Sequence, residues 1–413
     1  MKHFLETKSL LCVRGTVGFR GVRGQAFACE AEKEGSEMQS EVVQLTRRLL
    51  AINTINPPGN EEEAARLVQE VLAAEDIDSV LQQIEPGRSN LIARLKGIGG
   101  RPALSMSAHF DTIPVDPEHW TRDAFSGEIE NGRLYGRGAT DIKGGIAAMT
   151  MAMIRLKRAG TKLRGDLVLN LTAAENTTLQ GAKDMVRAGY FKGVGALLNS
   201  EPSSMRLFVS EKGTVWIRAI AKGDTGLAAF RNGEAGDRGN AIIRLARFLD
   251  RIHELDLKAP QHRHLKPPTI NPGLISGGVG IPLTPPRASC DIDVRLVPGL
   301  TAEHVQDAFR AVAGPHITLE VLDSKPPVDT PDDDPFVQLC LEILRKETGY
   351  AGGPEGVPFY SDCAVIAPVL NLPMVIIGAG EVGDSGRPDE YCDIGKLEQS
   401  AVVYQRIAER YLA

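Results

Sequence analysis

Residues 166–182 read "DLVLNLTAAENTTLQGA", an apolar run that turns abruptly into small residues, one acid (Glu175) and an amide (Asn176). Five of its first six residues after Asp166 have strand-favouring or core-forming side chains, Asn170 being the exception, and the other polar and charged residues come after them. That polarity gradient marks a strand buried along its length, with its carboxyl end opening onto solvent. Two further runs repeat it. "ALSMSAHFD" (103–111) ends in His109 and Asp111, and "ALLNSEP" (196–202) ends in Glu201. Between them "GGIAAMTMAMIRLKRAG" (144–160) is a helix apolar on most faces and closed by Gly160. Strands alternating with helices predict an α/β unit, with a mostly parallel sheet flanked by helices.

Working outward, "EVVQLTRRLLAI" and "NEEEAARLVQEVLA" carry the helical i, i+3, i+4 period ahead of the first strands. Near Trp216 the pattern changes. "TVWIRAIAKG", the helix "NAIIRLARFLDRIHEL", the strand "ASCDIDVRLVPG", the helix "TAEHVQDAFRAVA" and the strand "HITLEVL" form an α+β, ferredoxin-like unit of their own. Its Pro- and Gly-rich interior, "LKPPTINPGLISGGVGIPLTPP", reads as loop or edge strand. Alternation resumes in "VQLCLEILRKE", "PMVIIGAG" and "GKLEQSAVVYQRIAERYL". The expected organisation is an N-terminal extension (1–37) without periodicity, a catalytic domain in two segments (38–215 and 325–413), and an inserted lid or dimerisation domain (216–324).

Composition narrows the function. A formal net charge of −6 over 413 residues argues against a nucleic-acid surface, and no run approaches 18 consecutive apolar residues. Six cysteines lack C-x-x-C spacing, which predicts reduced thiols in a cytoplasmic protein. Ligands of open parallel sheets bind beyond the carboxyl ends of the strands. The chain places four acid-bearing segments there: "SAHFDTIPV" (His109, Asp111), "YGRGATDIKGG" (Asp141), "TAAEN" (Glu175) and "NSEP" (Glu201). Singly, each reads as a loop accident, an N-cap or a strand end; in this order they predict a metal site.

These motifs, with "PDEY" at 388–391, resemble the co-catalytic metallopeptidase family of aminoacylases, acetylornithine deacetylases, desuccinylases and glutamate carboxypeptidases. The resemblance runs over nearly everything after Met38. It implies that His109 and Glu201 hold one metal, that Asp141 bridges to a second, that Glu175 is the general base toward the attacking water, and that Asp111 orients His109.

Two departures fall on the second metal. Its Glu ligand is replaced by Asn176, and its His, expected in "GDSGRPDEY", is replaced by Gly386. The expectation is therefore one divalent ion, Mn²⁺ or Zn²⁺, on His109, Asp141 and Glu201, with Asp384, Asp389 or Glu381 as substitute ligands for a second. The family's lid histidine is also missing, Leu227 standing in its place, and its lid Asn is replaced near Pro282. His262 and His264 read as solvated loop residues. Arg295 matches a lid arginine that grips a substrate carboxylate, and Thr284 and Tyr360 are expected beside it.

A single metal without a lid histidine resembles a divergent aminohydrolase branch typified by 5-nitroanthranilate aminohydrolase, which implies hydrolytic deamination of an electron-poor aromatic amine. A one-metal amidohydrolase of N-acyl amino acids, and a non-catalytic relative, are the competing expectations. A small-molecule substrate and a homodimer formed through the inserted domain complete the reading.

Overall fold

The computed structural model describes residues 39–230 and 239–413; the expected N-terminal extension, 1–37, lies outside the described residues. Residues Ser40–Ala413 form one compact unit. At its heart four parallel strands stand in the order Leu167–Thr172, Ala103–His109, Val194–Asn199 and Met374–Ile376. Antiparallel strands extend the sheet on both sides: Arg88–Leu95 and Ser79–Glu85 beyond Leu167–Thr172, Phe208–Glu211 and Val328–Asp329 beyond Met374–Ile376. The unbroken run of parallel pairing lies at the centre, and the margins are antiparallel apart from the short strand Glu355–Val357, which pairs parallel with Phe208–Glu211. At the centre the βαβ crossovers cover both faces, so Ala103–His109 and Leu167–Thr172 are buried at every position.

Helix Gly144–Arg158 is buried along most of its circumference, which explains its weak polar face, and it packs on the C-terminal helix Ile394–Tyr411. The apolar stripes of Glu41–Leu50 and Glu61–Ala73 close the same core.

The inserted region forms a separate antiparallel sheet in the order Thr269–Gly277, Arg287–Leu296, Gly213–Lys222, Ile317–Lys325. Helices Ala241–His253 and Ala302–Ala313 cover one face, so Arg287–Leu296 alternates buried and half-buried residues. The Pro-rich interior supplies the edge strand, Thr269–Gly277, where Pro272 and Gly273 fall at a register shift. The fold is therefore α/β with an inserted ferredoxin-like α+β unit.

Candidate metal centre

The three parallel strands deliver their polar ends to one point. His109 ends Ala103–His109, Glu175 follows Leu167–Thr172 by three residues, and Glu201 follows Val194–Asn199 by two. Asp141 comes from the turn before helix Gly144–Arg158. The glycine pair opening that helix permits the approach: a Cβ on Gly145 would lie 2.2 Å from Ser200 Oγ, beside Glu201.

His109 Nε2 lies 3.0 Å from Asp141 Oδ1, 3.5 Å from Glu201 Oε1 and 3.8 Å from Glu175 Oε2. One ligand atom from each of His109, Asp141 and Glu201 lies within 4.8 Å of the others, and no second such group of three occurs among the described residues. Glu201 Oε1 is buried and accepts no hydrogen bond. Burial disfavours a charged imidazole, but Glu175, Asp141 and Glu201 outweigh it and hold the His109 pKa well above the usual value. Burial, and next the Asp141 charge, push Glu201 up to about 7; burial pushes Glu175 well up. Buried carboxylates crowded around one imidazole are costly unless a cation joins them, and a divalent ion reverses these shifts. Two carboxylates and an imidazole suit Mn²⁺ or Zn²⁺, so the residues present fit one metal.

The expected role of Asp111 needs correcting in detail. His109 Nδ1 bonds the Asp111 backbone carbonyl at 2.8 Å, whereas the Asp111 carboxylate stands 3.6 Å away. That carboxylate instead accepts from Glu175 N (2.9 Å), Asn176 N (3.0 Å) and Asn56 Nδ2 (2.9 Å). Asp111 thus orients the imidazole with its main chain and pins the Glu175 turn with its side chain. Ala174 in that turn is left-handed (φ 63), and its N–H is held by the buried Glu61, itself paired with Arg88 at 2.5 Å.

On the other side of Asp141 the polar groups are engaged by protein partners. Ser385 Oγ donates to Asp141 Oδ2, and Asn176 Nδ2 donates to the Asp111 carbonyl at 3.2 Å. The substitute ligands are engaged elsewhere. Asp384 faces Arg387 (3.3 Å), Asp389 accepts from Thr121 and Arg122, and Glu381 holds Ser204 and Lys396. Gly386 is left-handed (φ 80), and a Cβ there would meet Ile113 Cδ1 at 2.5 Å.

The "PDEY" segment acts through Glu390. Its Oε1 accepts from Gly138 N (3.1 Å), Thr140 N (2.9 Å) and Asp141 N (3.2 Å), and its Oε2 takes Arg137 Nη1 at 2.5 Å. Arg137 Nη2 reaches the carbonyls of Pro114 and Gly386, both at 3.2 Å. This buried pair fixes the Asp141 turn. The motif match pointed to both residues without revealing that they pair. Ser385, next to the replaced histidine, carried no signal of its own in the sequence.

Asp141, Glu175, Asn176, Glu201, Pro202, Arg295, Phe359, Tyr360, Gly383 and Ser385 line a cavity of about 260 Å³. Arg295 and Tyr360 therefore share a cavity with the candidate ligands, while Thr284, buried with its N–H on Gly226 (2.8 Å), is not a lining residue. Leu227 is 47% exposed and bridges to Leu283 instead. His262 and His264 are not solvated loop residues: they are largely buried, His262 3.3 Å from Asp329 and His264 2.8 Å from Asp332.

A parallel sheet presenting His109, Asp141 and Glu201 with a neighbouring acid under a second, smaller sheet defines a metal-dependent hydrolase. The chain belongs to peptidase family M20/M25/M40, whose model matches residues 106–410. It is 28% identical over 409 residues to a probable succinyl-diaminopimelate desuccinylase of Staphylococcus epidermidis, covering 91% of this chain and 98% of that one. It is 29% identical over 330 residues to an acetylornithine deacetylase of Myxococcus xanthus, covering 78% and 84%. In fold it is similar to an M20 metallo-carboxypeptidase of Sulfolobus solfataricus (TM-score 0.75, 19% identity, 90% and 99% covered) and to an aminopeptidase of Bacillus cereus (0.73, 19%, 90% and 98%). Among the described residues, no helix is long and apolar enough to cross a membrane.

Proposed function

We propose that the protein is a one-metal amidohydrolase that removes the acyl group from an N-acyl amino acid or a similar small, carboxylate-bearing amide. The observation that carries this reading is the convergence of His109, Asp141 and Glu201 beside Glu175, while Ser385 and Asn176 fill the opposite flank of Asp141. The desuccinylase and deacetylase relatives favour an amide substrate over the aromatic amine suggested by the single-metal pattern.

The ion, Mn²⁺ or Zn²⁺, supplies Lewis-acid polarisation and makes water acidic enough to deprotonate near neutral pH. His109, Asp141 and Glu201 would hold it, and the Asp111 carbonyl occupies His109 Nδ1, leaving Nε2 facing the acids. Glu175 takes the proton from water as it attacks the carbonyl carbon and returns it to the leaving nitrogen when the C–N bond breaks. Arg295 lines the cavity and spends only its Nε on a described residue, Asp293 at 2.8 Å. Its terminal nitrogens suit a substrate carboxylate.

We assign catalysis to residues 38–215 with 325–413 and the lid to 216–324. The lid also carries the dimer reading. Among the described residues its edge strand Thr269–Gly277 pairs on one side only, and it exposes Leu274 and Ile275 by 70% and 68%. The cysteines at 290, 340, 363 and 392 are buried and unbridged, which favours a cytoplasmic protein.

The aromatic aminohydrolase remains the second reading, favoured by the missing lid histidine: a ring that accepts charge needs less help from the lid. Elemental analysis and product identification test both. One metal per chain with carboxylate release from an N-acyl amino acid is expected. Ammonia release from an aminobenzoate would reverse the ranking, and two metals per chain would overturn the one-metal assignment.

A further inference from the structure

Amide hydrolysis builds negative charge on the carbonyl oxygen, and among the described residues no histidine lines the cavity to receive it, Leu227 bridging to Leu283 instead. A single preorganised donor at that oxygen is worth about 10²–10³ in kcat. We propose that Tyr360 supplies it, its phenol O–H donating to the carbonyl oxygen from the wall of the cavity that Glu175, Asp141 and Glu201 also line. This inference rests on the amide-hydrolase reading above.

Tyr360 lines the same cavity as Asp141, Glu175 and Glu201, and its hydroxyl makes no hydrogen bond among the described residues. It belongs to the catalytic sheet rather than the lid. Ser361 Oγ, one residue on, donates to the buried Glu211 at 2.7 Å, and Thr172 Oγ1 donates to the buried Asp362, two residues on. Those bonds tie the loop to the strands Phe208–Glu211 and Leu167–Thr172, the second of which also leads to Glu175. The ring is flanked by two cations carried on strands of the second sheet, Ile317–Lys325 and Arg287–Leu296. Lys325 Nζ lies 4.5 Å from its centroid, and 4.3 Å from that of Trp216, while Arg295 Cζ lies 5.5 Å away. Lys325 is fully buried and paired with Asp323, so it is fixed rather than free to bind substrate. Cations on an aromatic face are favourable and lock its orientation. Burial, then the Glu175 charge, push the Tyr360 pKa up, so the phenol keeps its proton. A protonated, rigid donor with no internal partner is what an oxyanion site needs.

The step balances without a proton leaving Tyr360. Water oxygen bonds to the carbonyl carbon, its proton passes to Glu175, and the C=O π pair moves onto the oxygen that accepts the Tyr360 hydrogen bond. Collapse restores C=O, breaks C–N and sends the Glu175 proton to nitrogen.

The test compares wild type, Tyr360→Phe and Glu175→Gln at equal metal content and melting temperature. The probes are N-acetyl-L-ornithine, N-succinyl-diaminopimelate and a panel of N-acetyl amino acids, with a phosphonamidate analogue of N-acetylalanine as tetrahedral ligand. Tyr360→Phe is expected to lower kcat roughly 10²–10³-fold with KM within about threefold, and to weaken the phosphonamidate by a similar factor. If it keeps kcat within threefold while Glu175→Gln is inactive, the Tyr360 assignment falls and the hydrolase reading stands. If both variants keep full activity, both fall. If the wild type turns over no probe, equal phosphonamidate affinity in wild type and Tyr360→Phe also overturns the assignment.

Discussion

The two oxygens of Asp141 face different surroundings. Oδ1 looks toward His109, Glu201 and Glu175, an almost fully buried group in which Glu201 Oε1 accepts no hydrogen bond. Oδ2 looks toward Ser385 and a loop whose acids are already paired, Asp384 with Arg387 inside it and Asp389 with Thr121 and Arg122 outside it. On the first flank, charge is concentrated and uncompensated, which a cation must resolve. On the second, a neutral hydroxyl donates to the carboxylate oxygen. The contrast shows what stands at and beside the two positions where the sequence departs from the expected motif: the Asn176 amide, which donates to the Asp111 carbonyl, and the Ser385 hydroxyl next to Gly386, which donates to the second Asp141 oxygen.

Four experiments break or sharpen that contrast. The largest effect is expected on the charged flank, where Glu175→Gln should lower kcat about 10²–10⁴-fold with metal content per chain unchanged; steady-state kinetics with elemental analysis decides it. Next, Arg137→Ala leaves Glu390 charged, buried and unpaired beneath the Asp141 turn. It should cost about 3–5 kcal/mol in urea denaturation, and a loss below about 1 kcal/mol would remove the pair from its supporting role. On the neutral flank, Ser385→Ala should weaken metal binding or turnover about 10–100-fold, the usual range for a residue that hydrogen-bonds a ligand. Calorimetric titration of the apoprotein measures it. The smallest effect falls on Gly386→His. It forces a side chain into a left-handed position against Ile113, costing about 1–3 kcal/mol, and should add no metal. A second equivalent of metal in that variant would show that the neutral flank remains competent as a metal site.

The sequence carried the fold far because its signals were local. A buried parallel strand must be apolar until it ends, so the switches at His109, Glu175 and Glu201 marked the strand ends directly. The ferredoxin-like insertion followed from its own alternation of periods. The antiparallel margins of the main sheet stayed hidden, because strand direction depends on which neighbour pairs, not on the strand's own residues.

Within the site, residue types and their order named His109, Asp141, Glu175 and Glu201, since metal and proton chemistry demand those side chains. Their company was decided in three dimensions. Arg137 and Glu390 are 253 positions apart, Asp141 and Ser385 244, and no local period encodes such pairings. Thr284 and Tyr360 looked equivalent as cleft candidates, yet only Tyr360 lines the cavity, because its loop is tied to two strands of the catalytic sheet. The sequence by itself determined the layers, the acids at the strand ends and the presence of Asn176 and Gly386 where ligands were expected. Only the tertiary structure decided what stands beside those positions, because a hydrogen bond joins groups that folding, and not chain order, makes neighbours.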